Sequence, residues 1–89
     1  MNAVFVFEST ANNARRTLFD GRFNAERYIR AEHGVDRAKV AVVPASADKV
    51  PDRLVTSDLL QSILSTAQRS CRKPSAMLSA MGLSTAIVY

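Results

Sequence analysis

The chain carries twelve basic residues, and nine of them are arginine. A guanidinium stays charged and presents a planar fork of donors to phosphate or carboxylate oxygens. Arg69, Arg72 and Lys73 lie close together in a stretch that holds no acid from Leu59 onward, and Arg15 and Arg16 are adjacent. Either group suits phosphate contacts or the carboxylates of a protein partner, where arginine is favoured at the energetic centre of an interface. These five residues are the candidate partner-binding residues.

Groups suited to catalysis are sparse. His33 is the only histidine and Cys71 the only cysteine. His33 is expected in the last turn of a helix, where the exposed carbonyls favour a protonated imidazole. The basic neighbours of Cys71 favour its thiolate, and a Cys71–His33–Asp36 set can be written, but no spacing brings it together. The eight acids are scattered, and Asp48 and Asp52 lack the further oxygen ligands of a calcium or magnesium site. Gly21, Gly34 and Gly82 stand alone, so no glycine-rich phosphate loop is present. No catalytic, cofactor-binding or metal-binding residue is assigned, and the chain is expected not to be an enzyme.

The elements that position these residues must fit into 89 residues, 47% hydrophobic and 22% charged, which predicts a single domain with one modest core. The net charge of +4 is uneven: residues 1–37 carry +1 and residues 38–89 carry +3. A lone cysteine excludes an internal disulfide. With no signal peptide evident, a cytoplasmic location is expected, and no apolar run approaches the roughly 20 residues that a membrane span needs.

Ala3 to Phe7 reads as a central strand, apolar enough to be covered on both sides. Ser9 and Thr10 are expected to cap a helix whose apolar face is Ala11, Ala14, Leu18 and Phe19, ended by Asp20-Gly21. A second helix is expected from about Phe23 to His33, with Ala25, Tyr28 and Ile29 buried and Glu26 paired with Arg30. Gly34 should end it. Lys39 to Val43 is the second strand, and Ala45 to Arg53 an exposed loop. Ser57-Asp58 opens the best-defined helix, with Leu60, Ile63, Leu64 and Ala67 inward. Its opposite face, Gln61, Ser62, Ser65, Thr66 and Gln68, is polar but uncharged. Ser75 is expected to cap a short helix through Met81, ended by Gly82, and Thr85 to Tyr89 reads as a strand. The order β-α-α-β-α-α-β predicts a small α+β sandwich, about three strands with helices mainly on one face.

Two resemblances add to this. Met81-Gly82-Leu83-Ser84 with Val88-Tyr89 resembles the turn and recognition-helix start of a helix-turn-helix, with Leu78 standing where that pattern prefers a small alanine. It implies a helix entering the major groove of DNA. The opening, an apolar strand and then Glu8-Ser9-Thr10 leading to Ala14-Arg15-Arg16, is similar to openings of small phage and mobile-element proteins, some of them anti-CRISPR inhibitors. That likeness implies a non-catalytic binder occupying a surface of a larger nucleoprotein complex, and it carries over no functional residues.

The sequence therefore predicts a non-catalytic protein-binding module, an inhibitor or adaptor acting on a nucleoprotein complex through Arg15, Arg16, Arg69, Arg72 and Lys73. The alternative is a small basic DNA- or RNA-binding protein using the same cluster. No aromatic residue interleaves with these bases along the chain, which argues against a platform for stacking single-stranded bases. A homodimer formed by edge pairing of Ile87 to Tyr89 is a third reading. No membrane partner and no cofactor are expected.

Overall fold

The computed structural model describes residues 2–9, 14–35, 40–45, 53–82 and 86–88. Four strands, β1 (Val4–Ser9), β2 (Ala14–Phe19), β3 (Val40–Pro44) and β4 (Ala86–Val88), form one antiparallel sheet in the order β3-β1-β2-β4. Three helices, α1 (Arg22–His33), α2 (Ser57–Ser70) and α3 (Pro74–Ala80), complete an α+β fold. The buried stripes of all three helices meet Val4, Val6 and Phe19 in a single apolar cluster, so the helices share one side of the sheet.

The sheet has one strand more than expected, because the segment expected as a first helix is β2. Ala14, Leu18 and Phe19 do fall at helical spacing, but Thr17, Leu18 and Phe19 are also a consecutive run that suits a strand. Pairing decides between the two readings. Val4 lies opposite Phe19 and Val6 opposite Thr17, and the hairpin satisfies the backbone of both strands. Asp20-Gly21 therefore ends a strand and opens α1, and the strand from Val4 is covered by helices on one side only.

Helix α1 keeps its expected buried residues, Ala25, Tyr28 and Ile29, and adds Asn24. Its surface ion pair is Arg22–Glu26 at 3.6 Å, one turn earlier than the expected Glu26–Arg30 pair. Gly34 ends the helix at φ 63°, a region costly to residues with a Cβ, and its N–H returns to the Arg30 carbonyl. The second expected strand is β3, and of the expected loop from Ala45 to Arg53 only those two end residues are described.

Helix α2 is capped by Thr56, one residue before the expected Ser57. The Thr56 side chain accepts from the Leu59 N–H. Ser57 instead exchanges hydrogen bonds with Asn24, tying α2 to the start of α1. Inward-facing Leu60, Ile63 and Ala67 are buried as their spacing predicts. Beyond α3, Ala86–Val88 is extended and pairs with Ala14–Arg16. Within the stretch that resembles a recognition-helix start, the described residues Ala86–Val88 are a strand and not a helix, and the rest of it beyond Gly82 lies outside the described residues.

Candidate functional site

The five predicted residues fall into three surroundings. Arg15 and Arg16 are neighbours on a strand and not on the expected helix, so their side chains leave opposite faces of the sheet. Arg15 lies opposite Glu8 on the helix side, and its Nη1 donates to the Ser75 carbonyl at 3.4 Å. Arg16 lies opposite Phe7 on the outer side, with its guanidinium 4.9 Å from the centre of the Phe5 ring. The adjacency that suggested a patch is broken by the strand.

Arg69, Arg72 and Lys73 stay together in the chain and are all exposed, where α2 gives way to α3. Cys71 makes that turn in the left-handed region at φ 55°, with its N–H bonded to the Ala67 carbonyl. Its thiol is exposed. Arg69 adjoins the uncharged side of α2, sharing a shallow depression with Asp58, Gln61, Ser62, Ser65 and Thr66. Arg72 looks into a different depression of about 280 Å³, lined also by Ala31, Leu64, Ala67, Gln68 and Pro74. Its floor is small and apolar, and its one charge is the guanidinium. None of Arg69, Arg72 and Lys73 forms an ion pair among the described residues.

A polar cluster lies at the end of α1, and no residue spacing points to it. Glu8 is only 4% exposed, yet its carboxylate is met by two polar side chains. Tyr28 donates its hydroxyl to both oxygens, at 2.8 and 3.0 Å, and His33 Nε2 lies 2.7 Å from one of them. Burial, and then the Glu8 charge, push the Tyr28 hydroxyl far above its ordinary pKa, so it stays a donor. One turn along, Glu32 accepts from the backbone N–H and the hydroxyl of Ser75, at 3.1 and 2.6 Å. The expected cap of α3 by Ser75 is thus replaced by a carboxylate from another helix, and Pro74 takes the first turn. The cluster joins β1, α1 and α3, and its polar atoms are turned toward one another. Among the described residues no three His, Cys, Asp or Glu side chains are grouped to hold a metal ion.

The outer sheet face was also missed. Phe5 and Phe7 alternate with buried Val4, Val6 and Glu8, and their rings lie 6.1 Å apart at 54°. Arg16 therefore stands beside aromatic rings after all, contrary to the sequence expectation, because hairpin pairing sets residues together that are far apart in the chain. Strand alternation was the available signal. Thr10-Ala11-Asn12-Asn13, between two runs of strand formers, offers the turn-type residues that a hairpin needs.

No family model matches the chain, and neither does any curated protein or solved structure.

Proposed function

We propose that this chain is a non-catalytic binding module that seats an acidic segment of a protein partner at the basic corner between α2 and α3. The observation that carries the reading is the apolar depression of Ala31, Leu64, Ala67 and Pro74 with Arg72 at its rim and Arg69 and Lys73 exposed nearby. A small apolar floor accepts one or two side chains, and unpaired cations beside it attract carboxylates and exclude basic partners. Arginine at the rim of such a pocket also contributes bidentate hydrogen bonds. Arg15 is spent inside the fold on Ser75, so it falls outside this surface. An inhibitor or adaptor of a nucleoprotein complex would use such a corner. No helix among the described residues is long and apolar enough to cross a membrane.

The test is affinity capture from host lysate, after nuclease treatment, with the wild-type chain and with Arg69→Ala/Arg72→Ala. Both arginines are exposed, so the double variant should melt within a few degrees of wild type. Proteins retained by the wild type and lost by the variant support the reading. Equal recovery on both chains, or recovery abolished by nuclease alone, rejects it.

A further inference from the structure

We propose that the outer face of the sheet is a second, separate binding site, and that its ligand is single-stranded nucleic acid. Phe5 and Phe7 stand on β1, one of the two central strands, and both are partly exposed. Their neighbours on that face are Leu18 and Arg16 across β2, and Val43 and Ala41 across β3. Among the described residues no helix packs on this side. The open part of the face lies toward β3, where Ala41 is exposed and Val43 is 44% exposed, whereas Leu18 on β2 is only 3% exposed, and none of these six residues is acidic.

Two features select the ligand. Aromatic rings on alternate residues of a strand present separate faces to successive bases, and stacking of this kind tolerates any base. Arg16 supplies the charge that a phosphate needs, and the chain as a whole carries +4. A second copy of this chain fits less well. A two-fold pairing through this face would bring two Arg16 side chains, and no acid among the six residues, into one dry layer.

The site lies on the opposite side of the sheet from the helices, so it stands or falls independently of the α2–α3 corner. The experiment is fluorescence anisotropy with a labelled single-stranded oligonucleotide of about ten nucleotides, at low and raised salt, with analytical ultracentrifugation of the free protein. The wild type should bind and lose affinity steeply with salt. Phe7→Leu keeps an apolar side chain but removes the ring, and Arg16→Gln removes the charge. Each should weaken binding by about 5- to 100-fold, with circular dichroism and melting temperature close to wild type. Phe5→Leu serves as the second ring variant if Phe7→Leu does not fold. Absence of binding at low salt overturns the proposal. So does undiminished affinity in the folded ring and charge variants, or a dimer that these same substitutions dissociate. Binding abolished only by Arg69→Ala/Arg72→Ala would move the nucleic acid to the other corner and overturn it as well.

Discussion

Alternate residues of one strand meet two different environments. Val4, Val6 and Glu8 face the helices, and Phe5 and Phe7 face outward. On the inner side a carboxylate is buried and fully engaged, held by Tyr28 and His33, beside the tilted ring pair Phe19 and Tyr28 with centres 5.0 Å apart. On the outer side the rings are larger than the inner valines but only partly covered, while a buried polar atom without a partner occurs on each side, Thr17 Oγ1 inside and Arg16 Nε outside. Apolar content is thus a poor guide to which face holds the molecule together. The inner face is committed to folding by its packing, whereas on the outer face Leu18 is buried but Phe5, Phe7 and Val43 stay partly or largely in solvent.

The sharpest way to break this contrast is to truncate one ring on each face. Phe19→Ala empties a fully buried position and should cost about 3–5 kcal/mol. Phe5→Ala removes a ring already part-way in solvent and should cost at most about 1.5 kcal/mol. Urea unfolding of both variants measures the difference, and equal losses would erase the distinction between the faces.

Glu8→Gln addresses the polar half of the inner face. The amide keeps the volume but offers one good acceptor to two donors, and a loss of about 2 kcal/mol is expected in the same urea assay. A variant as stable as wild type would mean that the contacts from Tyr28 and His33 do no more for stability than an apolar filler.

The smallest effect is the most specific. The pKa of Tyr28 is raised above its ordinary value of 10.0 chiefly by burial, so the native state holds this proton more tightly than the unfolded chain does. Its contribution is complete below pH 10 and is lost as pH rises beyond it, at up to about 1.4 kcal/mol per pH unit. Tyr28→Phe should cost about 1 kcal/mol at neutral pH. Its stability should then fall more gently than wild type in denaturation curves between neutral and strongly alkaline pH. Parallel curves would show that the Tyr28 proton is not linked to folding.

What could be read from the sequence follows from how local each signal is. The helices α1 and α2 were legible because their buried residues recur at 3.6-residue spacing within one element, as Ala25, Tyr28 and Ile29 or Leu60, Ile63 and Ala67 do. Strand β2 was not, since its identity rests on Val4 and Val6 lying across from it, and a sparse apolar pattern fits a helix equally well. The same non-local pairing hid the meeting of Arg16 with Phe5. Cap assignments slipped by one residue at α2, where Thr56 and Ser57 offer equivalent hydroxyls and only the contact with Asn24 separates their tasks. The cluster of Glu8, Tyr28 and His33 joins a strand to a helix far along the chain, and no residue spacing announces it. Of the five predicted contact residues, Arg69, Arg72 and Lys73 remain exposed together, while Arg15 and Arg16 are separated by the sheet.

The strand order β3-β1-β2-β4 also bears on how the chain assembles. The two central strands are neighbours in sequence, so their hairpin closes a short loop at little entropic cost. The edges arrive from progressively farther away. Strand β3 returns to β1 across α1, whereas β4 must bring Ala86 back to Arg16 across nearly the whole polypeptide. Only three residues of β4 then hold that long closure. The sheet therefore grows outward from a local nucleus, and its last strand is the one with the most loop entropy to offset and the fewest ladder bonds to offset it. Opening of the native state should begin at that edge, unpairing Ala14–Arg16 while the hairpin and its helices remain intact.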